Sequence, residues 1–126
     1  MSETFTIFKE IPCTEASTHY TELVYTAPVG RAVIVDIRIW AEATNTVPVG
    51  VSLWTNKEDS MEYYMPGMEC FKYPLTASDA LRVDRFVLEG GDRVYVSAFS
   101  NSNKGVEPKI TIQVRGVLYE RYFYNI

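Results

Sequence analysis

Between Ala32 and Glu42 one parity of the chain is apolar throughout while the other carries Asp36, Arg38 and Glu42, and no other feature restricts its fold as strongly. Val33, Val35, Ile37, Ile39 and Ala41 share one parity, while Asp36, Arg38, Trp40 and Glu42 share the other. Successive side chains of a strand point to opposite faces, so this spacing predicts a strand with one face in a core. Residues 50–55 repeat the pattern, with Val51 and Leu53 inward and Ser52 and Trp54 outward. A turn-prone stretch, residues 43–48, lies between, and the two segments read as a hairpin.

A second pair follows the same logic. Residues 93–99 set Val94, Val96 and Ala98 inward; residues 109–118 set Ile110, Ile112, Val114, Gly116 and Leu118 inward, across the polar loop 100–108. Residues 81–88 form a further strand that ends in Glu89-Gly90-Gly91-Asp92, a turn where glycine can take positive φ. Residues 5–8 and 20–25 are shorter candidates. In 61–73, Pro66-Gly67 predicts a turn with a short strand on each side, and 76–82 have room for one helical turn capped by Ser78 or Asp79. Strands at this spacing, separated by Gly, Pro and Asn, predict an all-β fold, a two-sheet antiparallel sandwich with jelly-roll or Greek-key-like wiring. At 126 residues the chain fits one domain, with 1–19 as an N-terminal arm or short strand and 119–126 as an aromatic C-terminal tail.

Charge and composition narrow the function. The net charge of −4, from 12 Lys+Arg against 16 Asp+Glu without a basic run, argues against nucleic-acid binding. No apolar stretch approaches the ~20 residues of a membrane span, and the first residues lack the pattern of a secretory signal, so synthesis in a cytoplasm is expected. Cys13 and Cys70 lack metal-ligand spacing and read as reduced thiols, with a disulfide within or between chains as the alternative.

Candidate chemistry is sparse. His19 is the one histidine; it could pair in space with Cys13 or Cys70, but it reads as a loop residue. Asp36 and Glu42 alternate with Arg38 as a solvated strand face would. The cluster Glu58, Asp59 and Glu62 lacks calcium-loop spacing, and Leu88-Glu89-Gly90-Gly91-Asp92 precedes no helix that could cradle phosphate. The expectation is no enzyme, no catalytic or metal-binding residue and no cofactor.

The aromatic residues carry the remaining signal. Trp40 and Trp54 both fall on outward parities, and a hairpin symmetric about Val47 would set them opposite each other. Either another segment of the chain covers them or they form a patch for a partner subunit or a sugar. The tail adds Tyr119, Tyr122, Phe123, Tyr124 and Ile126, which either complete the parent sheet or dock on a neighbour. These seven residues are the candidate partner interface.

The ordered motifs resemble a known group. Leu23-Val24-Tyr25-Thr26-Ala27-Pro28-Val29-Gly30-Arg31-Ala32-Val33 leads into a long strand. Val87-Leu88-Glu89-Gly90-Gly91-Asp92-Arg93-Val94-Tyr95-Val96 follows, and Ile112-Gln113-Val114-Arg115-Gly116-Val117-Leu118-Tyr119 closes the set. Over about residues 23–120 this order resembles small virion accessory proteins of tailed bacteriophages; the chain departs from it between Asn56 and Ala80. The resemblance implies a β-sandwich decorating a capsid, neck or tail. It implies a homo-oligomer, a trimer first, bound to other virion structural proteins, located in the virion and made in the host cytoplasm. The alternative is a carbohydrate-binding module that stacks sugars on Trp or Tyr.

Overall fold

A computed structural model describes residues 2–12, 19–41, 49–76, 79–99 and 109–119. Eight strands fill most of them: β1 (Ser2–Pro12), β2 (His19–Thr26), β3 (Val33–Ala41), β4 (Val49–Asn56), β5 (Met68–Leu75), β6 (Ala80–Leu88), β7 (Arg93–Phe99) and β8 (Lys109–Tyr119). One 3₁₀ turn, Met65–Gly67, precedes β5. The first sheet runs β1-β8-β3-β6 and the second β2-β7-β4-β5, with every pairing antiparallel. The expected sandwich is present, wired as a jelly roll.

That wiring separates the expected hairpins. β3 belongs to the first sheet and β4 to the second; β7 and β8 are likewise divided. Among the described strands, only β4 and β5 are both consecutive in sequence and paired. Alternation specifies which parity is buried, but not the sheet in which a strand finds its neighbours.

The parity assignment itself holds. Val33, Val35, Ile37, Ile39, Val51, Leu53, Val94, Val96, Ile110, Ile112 and Val114 are all buried, in one core between the sheets. Gly116 belongs to the same face: a Cβ there would meet the Phe5 ring at 2.4 Å, so the missing side chain makes room for Phe5, which stacks on Tyr25 at 4.9 Å.

Three local expectations are corrected. The N-terminal segment is no short arm: β1 pairs with β8 from Ser2↔Tyr119 to Pro12↔Lys109, because Phe5, Ile7 and Ile11 continue the inward parity. Residues 80–82 are strand rather than helical turn, because Ala80, Leu81 and Arg82 pair with Trp40, Ile39 and Arg38. Around Pro66-Gly67, a strand follows the turn but none precedes it; residues 57–64 serve a different purpose, described below.

The Glu89–Asp92 turn is tied to the β2–β3 connection. The Gly91 amide donates to the Ala27 carbonyl and the Ala27 amide to the Asp92 carbonyl, both at 2.8 Å. Gly91 has φ 89°, which a side chain would strain.

Candidate interaction surfaces

The outer face of the second sheet is covered by the chain itself. β4 and β7 are buried on both faces, which alternation alone does not produce: Ser52, Trp54, Tyr95 and Ser97 point away from the core and are still enclosed. Trp54 and Tyr95 are cross-strand partners with rings stacked at 5.6 Å. Tyr63, from the connection between β4 and β5, lies edge-on to Trp54 at 4.9 Å and to Phe71 at 5.1 Å.

Hydroxyls fasten this cover. Tyr63 Oη and Ser97 Oγ share a hydrogen bond of 3.2 Å, and the Tyr95 hydroxyl donates to the Glu58 carbonyl while accepting from the Ser60 amide. Gly67 brings the connection against β4 so closely that a Cβ would stand 2.0 Å from the Thr55 carbonyl oxygen. At one end Lys57 Nζ donates to Asp92 Oδ1 at 2.8 Å, and Arg93 donates to the Lys57 carbonyl.

The outer face of the first sheet is different in kind. Cross-strand register places Thr6, Arg115 and Asp36 in one row, and Phe8, Gln113, Arg38 and Arg82 in the next. Opposite Asp36, β6 bulges, so that Asp84 and Arg85 together face one residue of β3. Arg85 takes φ 54°, rare for a residue with a side chain, and its amide donates to Asp36 Oδ1 at 2.9 Å. A depression of about 430 Å³ opens here, lined by Thr4, Thr6, Ile34, Asp36, Arg85 and Arg115 among others. Exposed Phe8 and Val87 also lie on the sheet.

The three candidate interface residues among the described ones, Trp40, Trp54 and Tyr119, do not come together. Trp54 points outward as its parity predicts and is fully buried there, because Tyr63, Tyr95 and their connection enclose that face; of the two alternatives, cover by the chain itself applies to Trp54. Trp40 is half-buried on the other sheet, beside Thr111 and Ala80, so the proposed tryptophan pair does not exist. Tyr119 ends β8, half-buried, and its carbonyl accepts from Arg31 Nε at 2.9 Å. Tyr122, Phe123, Tyr124 and Ile126 lie outside the described residues, as do Cys13 and Glu42.

The remaining chemistry is dispersed. His19 opens β2 and Cys70 lies in β5, at opposite edges of the second sheet, so at least about 14 Å of sheet width separates their backbones and forbids a dyad. Cys70 is free and half-buried; its thiol donates to the Val51 carbonyl at 3.6 Å, and burial, with Glu69 nearby, pushes its pKa up. Among the described residues no group of three His, Cys, Asp or Glu could hold a metal ion, and no helix is long and apolar enough to cross a membrane. Sequence reasoning did not single out Arg82, Arg85 and Arg115. Their parity was readable, but their gathering on one face depends on sheet order.

No family model matches the sequence, and no curated protein matches it. Solved structures do resemble the fold. A chain in the structure of infectious bursal disease virus Gx strain matches 98% of this chain with a TM-score of 0.55 and 10% identity. This chain spans 33% of that one, about a third of its length. A chain of the cyanophage Pam1 capsid asymmetric unit matches 92% of this chain and 84% of its own length, with a TM-score of 0.45 and 14% identity.

Proposed function

We propose that the chain is a non-enzymatic structural subunit of a virion, with an accessory or decoration role on a bacteriophage capsid, neck or tail. The observation that supports this reading is the two-sheet jelly roll, ordered β1-β8-β3-β6 against β2-β7-β4-β5, whose fold is similar over 98% of the chain to part of a chain in an infectious bursal disease virus structure. A sandwich by itself hosts many functions, so the reading also leans on the ordered phage-like motifs. Those motifs now have physical roles: Gly91 and Asp92 tie two turns together, and Gly116 makes room for Phe5. In this reading residues 1–126 form one sandwich unit, made in the host cytoplasm. It assembles as a homo-oligomer, a trimer first, and binds other virion proteins through its exposed faces and the tail from Tyr119 to Ile126. It requires no cofactor, nucleic acid or membrane. The sugar-binding alternative loses Trp54 as a stacking platform, because that ring is enclosed.

Mass spectrometry of gradient-purified particles from cells that express this chain tests the proposal, with antibody labelling to locate it. The expected result is a fixed stoichiometry to the major virion protein that survives washing in high salt. A chain found only in the soluble fraction would overturn the reading.

A further inference from the structure

We infer that the outer face of the first sheet binds carboxylates, and that its occupant is a second copy of this chain presenting Glu58, Asp59 and Glu62. The inference deepens the virion reading and rests on it for biological purpose, but the contact itself is argued from charge.

The face gathers Arg38, Arg82, Arg85 and Arg115 against Glu10, Asp36 and Asp84, in a chain whose net charge is −4. Arg38 and Arg82 are direct cross-strand partners, and like charges set opposite each other destabilise a sheet. Arg38 Nε is buried and has no acceptor among the described residues. Arg85 and Arg115 flank the 430 Å³ depression, and neither guanidinium has a carboxylate within ion-pair distance among the described residues. Asp36 is partly engaged already, because its Oδ1 accepts from the Arg85 amide. The same bond holds the bulge, which re-aims Arg85 at the cost of a left-handed backbone. A guanidinium pairs bidentately with a carboxylate, so two of them around a depression suit an inserted acidic side chain.

The occupant follows from where the opposite charge lies. Glu58, Asp59 and Glu62 are exposed on the connection that covers the second sheet, on the other side of the sandwich. Lys57, their basic neighbour, is committed to Asp92. One side of the molecule therefore bears these arginines, and the opposite side carries an exposed acidic cluster, with Lys72 and Arg93 elsewhere on that side. Copies stacked head to tail bring the two together. Such a contact is heterologous and closes into a ring, or continues as a filament where the rotation does not close.

Sedimentation velocity of the full chain tests this at about 50 mM and about 500 mM salt, on either side of effective screening. The wild type is expected to associate at low salt and dissociate at high salt. Arg85→Glu with Arg115→Glu, and separately Glu58→Lys with Asp59→Lys and Glu62→Lys, should each weaken association at least about tenfold. An equimolar mixture of the two reversed chains should restore it. Arg115→Glu alone, in regular strand, serves if the double variant melts early by circular dichroism. The contact is overturned by a wild type that is monomeric at low salt. It is equally overturned by association that either reversal leaves intact, by a mixture of folded variants that does not reassociate, or by low-salt complexes that form only with added oligonucleotide. Particle mass spectrometry keeps the two readings separate: a chain in virions without this salt-dependent association refutes the contact alone, and an associating chain absent from virions refutes the virion role alone.

Discussion

Trp40 and Trp54 stand on the outer faces of opposite sheets, at the same parity of neighbouring strands, yet Trp54 is wholly enclosed while Trp40 remains half-buried. The difference lies in what each sheet carries behind it. The β4–β5 connection folds back over the second sheet and sets Tyr63 on Trp54, with the Tyr95 and Ser97 hydroxyls fastening it. No described segment is fastened in this way over the first sheet, where arginines occupy comparable positions. Among the described residues, the jelly roll thus has one covered and one open outer face.

The largest test of this contrast is truncation of each tryptophan. Trp54→Ala should cost about 3–5 kcal/mol, because a ring enclosed by Tyr63 and Tyr95 leaves a cavity that its surroundings cannot fill. Trp40→Ala should cost about 1 kcal/mol, since much less area is lost from contact. Urea unfolding measures both. In the Trp40→Phe chain, emission from Trp54 should be blue-shifted and resist iodide quenching; the Trp54→Phe chain should show the reverse. Equal costs or equal quenching would erase the distinction between the faces.

The next test loosens the cover without touching the rings. Gly67→Ala places a Cβ 2.0 Å from the Thr55 carbonyl oxygen, a backbone atom that cannot swing aside. The connection must shift, at a cost of about 1–3 kcal/mol, the range for overpacked sites. Emission from Trp54 should move to longer wavelength as Tyr63 lifts. A stable variant with unchanged emission would mean that Gly67 does not hold the cover down.

These two tests mark where the sequence was informative. The alternation in 32–41 names the buried parity because a sheet face reads its own strand, and of the fifteen residues set inward by such patterns fourteen are buried and Leu118 is partly buried against the core. The partner of each strand was not legible. β3 and β4 look like a hairpin because they are consecutive, whereas β3 pairs with β6 and β8. The enclosure of Trp54 was not legible for a related reason: it depends on Tyr63, itself edge-on to Phe71, in a stretch whose own pattern is irregular. The arginine face was illegible because Arg38, Arg82 and Arg115 lie 33 to 77 residues apart in sequence and are brought onto one face by sheet order.

On the open face, Asp36→Ala should have a smaller effect, about 1 kcal/mol, as it removes one charge-assisted hydrogen bond to the Arg85 amide at an exposed site. Its clearer signature is local. Amide exchange should accelerate at Asp84, Arg85 and Phe86 and stay unchanged across β4 and β7. Loss of protection in the second sheet would show that the bulge supports the whole sandwich rather than the arginine face alone.

The smallest effect is alkaline, and it belongs to the covered sheet. Tyr25 in β2 and Cys70 in β5 lie in its two edge strands, and burial raises the pKa of both, with Arg31 lowering Tyr25 in part. A group that holds its proton more tightly when folded contributes no penalty below its ordinary value, 9.0 for the thiol and 10.0 for the phenol. Above that value the unfolded chain loses the proton first, and stability falls with rising pH until the folded group also ionises. The wild type should therefore lose stability from about pH 9 upward. Cys70→Ser should flatten the first part of that fall, and Tyr25→Phe the later part. Reversing Arg115, on the other sheet, should leave the alkaline slope as it was. Thermal melts between pH 8 and about pH 10.5 decide it. A slope that follows Arg115→Glu and ignores Cys70→Ser would tie alkaline sensitivity to the open face and remove this last difference between the sheets.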